Sequence, residues 1–233
     1  MTDKKLPTSP NQSQVDAFLA KVKAVPAPVR SGRGRLAFAM DATASREASW
    51  KAAQHIHADM FQAAAALGGL DIQLMWYRGL AEFSAGPWTA NPDALLGQLR
   101  AVDCVGGETQ IAKVLRHVRD ESRKTRVNAC VFVGDAMEED VDRLCKLSGE
   151  LGVLGVPLFL FHEGDDPVAG NAFRQMAKLS GGACCRFDAG SAAQLRALLS
   201  AVAVYAAGGR AALMDYGRKQ GGAVLQLTNQ MGR

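Results

Sequence analysis

The chain has 233 residues, 48% of them hydrophobic and 21% charged, which suits one sizeable folded domain and excludes a disordered polymer. Its net charge of +4 is uneven: residues 1 to 35 hold seven Lys or Arg against Asp3 and Asp16, so seven minus two leaves +5 there and −1 for the remainder. Five scattered cysteines, with no Cys-x-x-Cys pair, exclude a disulfide framework and a zinc ribbon.

The first dozen residues are polar and carry two prolines. From residue 14 to 25, Val15, Phe18, Leu19 and Val22 recur at helical spacing, which predicts a short amphipathic helix before a Pro/Gly linker. Residues 1 to 34 are therefore expected to form a basic arm, 35 to 207 the main domain and 208 to 233 a C-terminal extension. The arm has no apolar core of a secretory signal, and the longest apolar run, Leu151 to Phe161, is broken by Gly152, Gly155 and Pro157. No membrane span and a cytoplasmic location are expected.

Within the main domain Leu36-Ala-Phe-Ala-Met40 is a continuous apolar run of strand length, as in a strand buried on both faces. It leads through Asp41-Ala-Thr-Ala-Ser45 into an Ala-rich helix over about 46 to 67. A strand over 72 to 77 and a short one over 81 to 84 follow, joined by a tight turn at Arg78-Gly79, so the short strand is antiparallel. Helices are expected over 92 to 102 and 110 to 124, with the loop Gly106-Gly-Glu-Thr109 between them. A buried strand over 127 to 133 ends at Gly134-Asp135. Helix, strand, helix, strand and a closing helix then occupy 140 to 151, 156 to 162, 171 to 179, 183 to 187 and 192 to 206. This alternation implies a doubly wound α/β fold, a mostly parallel sheet with one antiparallel edge strand and helices on both faces.

Ligands of such sheets bind at the carboxyl ends of the strands, where the strand order reverses. Asp41, Thr43 and Ser45 leave the first strand, Asp135 ends the fourth, and Thr109 lies in the loop whose helix leads into the fourth. Each also has a purely structural explanation. Ser45 and Thr109 suit helix N-caps, and Asp135 with Glu138 spells a capping box. Their joint occurrence, in order, favours a shared site.

These residues resemble the metal-ion-dependent adhesion site of von Willebrand factor A domains: Asp-x-Ser-x-Ser, a distant Thr and an Asp closing the fourth strand. The likeness runs from about Leu36 to Ala206. Thr43 replaces a Ser but keeps the hydroxyl, and Ala136 stands where the family has Gly. The resemblance implies that Asp41, Thr43, Ser45, Thr109 and Asp135 hold Mg²⁺, or Mn²⁺ or Ca²⁺, directly or through water. With few negative ligands the ion stays electrophilic, which favours an Asp or Glu offered by another protein. The implied function is a non-enzymatic interaction module, an adaptor or subunit of a larger intracellular assembly.

Two alternatives draw on other features. Asp41 after the first strand also suits a Mg²⁺-dependent phosphohydrolase, but Thr43 stands where a second carboxylate would act as acid or base. The basic arm suits nucleic acid, yet no aromatic residues interleave it, so nucleic-acid binding is not expected. His55 and His57 are two apart on a helix and make poor joint ligands. His117 reads as a solvated helix residue and Trp50, Trp76 and Trp88 as core or edge packing; an exposed Trp88 would border a binding face.

Overall fold

The computed structural model describes residues 33–65, 67–187 and 192–231. The helix expected over 14–25, and the arm up to residue 32, lie outside them.

Six strands form one sheet: β1 (Gly34–Asp41), β2 (Leu70–Arg78), β3 (Glu82–Ala85), β4 (Ala129–Gly134), β5 (Leu158–Glu163) and β6 (Ala183–Phe187), in the order β3-β2-β1-β4-β5-β6. All neighbours are parallel except β2 and β3, which are antiparallel as the turn at Gly79 requires. The expected doubly wound fold is therefore the observed one. Its switch point is β1, flanked by β2 on one side and β4 on the other, with Met40 level with Val133.

Alternation along each strand supplies two cores. Leu36, Phe38 and Met40 of β1, with Val131 and Val133 of β4, face α1 (Glu47–Ala65), α2 (Pro92–Arg100) and α6 (Ala192–Gln220). Ala37, Ala39, Cys130 and Phe132 point the other way, toward α3 (Ile111–Lys124), α4 (Val141–Val153) and α5 (Pro167–Ser180). Both faces being covered explains why these strands read as unbroken apolar runs rather than as alternating ones. Cys184 and Cys185 likewise fall on opposite faces, and the described cysteines are all free thiols.

The closing helix differs from expectation. α6 continues past residue 206, turns sharply at Gly209 (φ 76°, ψ −168°), and is followed by α7 (Gly222–Gln230). Residues Ala193–Gln220 are, by length and composition alone, long and apolar enough to cross a membrane, a run that the expected apolar segments did not include. The run escapes notice because it is built of alanines broken by Ser200 and glycines. Over its most apolar 18 residues more than half are buried inside the protein, where Leu198, Leu199 and Val202 pack under the sheet, as in the core helix of a folded domain.

Candidate metal centre

The loops leaving β1 and β4 meet because these strands are hydrogen-bonded neighbours. Asp41, Thr43, Ser45, Thr109 and Asp135, drawn from three separate stretches of chain, line one cavity of about 260 Å³ with Ala44, Gly106, Gly107, Ala136 and Glu138. All five residues singled out by the motif are thus brought together. A larger cavity of about 770 Å³ near α5 and α7 is lined by Arg174, Lys178 and Gln230, without carboxylate or hydroxyl, and suits no metal.

Asp41 is 1% exposed and fully engaged. Its Oδ1 accepts from the Thr43 N–H at 2.7 Å and its Oδ2 from the Tyr77 hydroxyl at 3.0 Å. Burial pushes its carboxyl above the usual Asp range, against the hydrogen bonds from Thr43 and Tyr77, with the nearby Asp135 adding to the rise. Burial and the Asp41 charge push the Tyr77 phenol well up, so it stays protonated and remains a donor. The indole of Trp50 donates to the Asp41 carbonyl at 2.8 Å and holds the strand end from below.

The hydroxyls take other roles than the helix caps that sequence allows. Residues Ala44–Arg46 form one 3₁₀ turn, and the Ser45 Oγ donates to Asp135 Oδ2 at 2.9 Å instead of capping a helix. Thr43 Oγ1 lies 3.3 Å from Ser45 Oγ. Thr109 does not cap α3; the Glu139 carboxylate accepts from Ile111 N–H and Ala112 N–H at its start. Nor do Asp135 and Glu138 form a capping box. Thr109 N–H donates to Glu138 at 2.9 Å and Glu138 N–H to Thr109 Oγ1 at 3.0 Å, while Asp140 caps α4. Residues that capping would have satisfied locally instead bind across the cavity.

The Thr109 loop is fixed by close backbone contact. A Cβ on Gly107 would lie 2.2 Å from the Gly79 carbonyl oxygen, so only glycine fits. Glu108 N–H donates to that same oxygen at 3.1 Å, and the Gln110 amide donates to Arg78 and Gly79 carbonyls.

Four groups around the site escape a motif reading, Arg46, Ser49, Tyr77 and Glu163, and a fifth, Glu138, is read from sequence only as half of a capping box. The Arg46 guanidinium lies 3.1 Å from Asp135 Oδ2 and pairs with Glu163, which also accepts from the Ser49 hydroxyl. Glu163, the last residue of β5, carried one visible signal: an acid at the carboxyl end of a buried strand. The other expected side chains fall elsewhere. Trp88 donates to Glu121 and stacks beneath Arg35 at the opposite end of the sheet, away from the cavity. His117 is half-buried against Phe83 and bonded to Gln73, not solvated.

The donors suit a hard cation. Two carboxylates and three hydroxyls offer only oxygen, and no cluster of three His, Cys, Asp or Glu occurs among the described residues to suit a softer metal. An octahedral shell of about 2.1 Å radius sets neighbouring donors about 3 Å apart. The 2.9 and 3.3 Å separations among Asp135, Ser45 and Thr43 match that spacing.

No protein-family model matches the sequence, and no curated protein matches it significantly. Solved structures do resemble the fold. The VWA domain of SpRpn10 aligns at 12% identity and TM-score 0.55, over 70% of this chain and 95% of its own. Proximal thread matrix protein 1 from the mussel byssus, with a zinc-occupied MIDAS motif, aligns at 13% identity and TM-score 0.57, over 74% of this chain and 46% of its own. The vWF domain of the type V pili tip protein Mfa5 from Porphyromonas gingivalis aligns at 11% and 0.54, over 74% and 94%. The chain spans under half the byssus protein. At these identities the likeness concerns architecture alone, and the architecture is that of a von Willebrand factor A domain.

Proposed function

We propose that this chain is a non-enzymatic, metal-dependent protein-binding module acting in the cytoplasm as an adaptor or subunit of a larger assembly. Asp41, Thr43, Ser45, Thr109 and Asp135 hold Mg²⁺, Mn²⁺ or Ca²⁺, and an Asp or Glu of the partner completes its shell. The observation that carries this reading is the convergence of five oxygen side chains from three distant loops on one cavity. When bound, the cation supplies a Lewis-acidic position for a carboxylate. The chain's own residues hold that position: Tyr77 and the Thr43 N–H orient Asp41, Glu138 orients Thr109, and Ser45 braces Asp135. The zinc-occupied MIDAS motif of the byssus protein lends support by fold alone. The phosphohydrolase reading draws none, since both Asp41 oxygens already accept hydrogen bonds and position 43 lacks a carboxylate.

Isothermal titration with Mg²⁺ and Mn²⁺ tests the site. Asp41→Ala is expected to weaken binding by about 10- to 100-fold, the range seen when groups that orient metal ligands are removed. Equal binding by variant and wild type would sink the assignment. Pull-downs with and without EDTA then separate partners bridged by the metal from the rest.

A further inference from the structure

One buried cation lies beside the cavity, and its position carries a consequence that rests on the metal reading above. The Arg46 side chain is 8% exposed and touches oxygens on the site itself: Asp135 Oδ2 at 3.1 Å and, through Nε, Ser45 Oγ at 3.4 Å. Its other side pairs with Glu163, which is 2% exposed and held by the Ser49 hydroxyl. Glu163 Oε1 has no hydrogen-bond partner, and neither Arg46 nor Glu163 lines the cavity. A chain of contacts thus runs Ser49–Glu163–Arg46–Asp135, from α1 and the end of β5 into the site.

We infer that Arg46 is a resident cation that sets the metal affinity of the site, with Glu163 as its counter-ion. The guanidinium holds Asp135 through Oδ2 and adds a positive charge next to the cavity, which opposes a divalent ion there. Glu163 lies behind it and offsets part of that charge. Because both are removed from solvent, screening is weak and each charge acts at close range. Both are positioning residues: they act on the metal through Asp135 and through the field.

The two charges act with opposite sign, and a structural role would not. Titration of the full chain with Mn²⁺, read by calorimetry, is expected to show Arg46→Gln binding at least about threefold more tightly than wild type. Glu163→Gln is expected to bind about threefold more weakly, and the double variant to return near wild type. Arg46→Lys, which keeps the charge, is expected to stay within about twofold. Circular dichroism in EDTA verifies that each variant folds. Weaker binding in Arg46→Gln and Glu163→Gln alike, or tightening in Arg46→Lys, would overturn the inference while leaving the metal site standing. Should Arg46→Gln not fold, Glu163→Gln decides: weaker binding supports the inference, and unchanged or tighter binding overturns it. Absence of binding in wild type and every variant would remove the metal reading and this inference with it. Binding seen only in Arg46→Gln would support the inference and show the wild-type site held shut by its own cation.

Discussion

The two ends of the sheet hold charge in different ways. At the amino-terminal end two cations are held by the body's own residues: Arg33 pairs with Asp71 at 2.8 Å, and Arg35 lies over Trp88 and 3.6 Å from Glu121. Two cations counted with the basic arm are thus committed to the folded body. At the carboxyl-terminal end Arg46 contacts Asp135 and Glu163, and Asp41 is buried with hydrogen-bond donors alone. One end is neutralised by its own residues. The other retains negative charge in a cavity, the condition under which an external cation is drawn in.

Three experiments bear on that contrast, the largest effect first. Gly107→Ala drives a methyl into the Gly79 backbone and is expected to cost about 1–3 kcal/mol in urea denaturation. Metal binding should weaken with it because Thr109 follows two residues later. An unchanged midpoint would mean that the two loops yield freely.

A pH comparison comes next. An acid whose pKa is raised on folding holds extra protons in the native state, so its contribution favours folding at low pH and is lost as pH rises through the folded value. Burial raises Asp41 above 3.8, so in EDTA the wild type should lose stability relative to Asp41→Asn as pH rises above that value toward 7. Thermal melts at both ends of that range check it. If the proposed site holds Mg²⁺, adding it at pH 7 should stabilise the wild type relative to Asp41→Asn. A pH-independent difference in EDTA would refute the role of burial.

The smallest effect belongs to the amino-terminal end. Glu121→Gln removes the carboxylate facing Arg35 yet keeps an acceptor for the Trp88 indole. A loss of about 0.5–1 kcal/mol is expected, with Mn²⁺ affinity unchanged. A shift in metal affinity would mean that the two ends are coupled through the sheet.

Much of this was legible beforehand. Strands buried on both faces announce themselves as unbroken apolar runs, and β-α alternation leaves few topologies, so Asp41 and Asp135 could be placed at one sheet edge from the chain alone. Boundaries and caps were harder. Thr109, Ser45 and Glu138 each have a local partner available in sequence, and a hydroxyl beside a helix start satisfies capping rules whether or not it caps. The tertiary contacts won because Glu138 and Asp135 offer those groups bonds across the cavity.

The Asp-x-Thr-x-Ser loop, the Gly-Gly-x-Thr loop and the Gly-Asp strand end were determined by sequence, since motif spacing and strand order suffice to bring them to one place. The Arg46–Glu163 pair and the Tyr77 hydroxyl on Asp41 were decided only by the fold. Their partners lie 117 and 36 positions apart in number, a separation no periodicity encodes; Tyr77 meets Asp41 because β1 and β2 are neighbours in register, and Arg46, just past β1, reaches Glu163 at the end of β5 across the end of β4. The sign of the charge beside the cavity therefore belongs to the tertiary structure, because a field depends on distance in space and not along the chain.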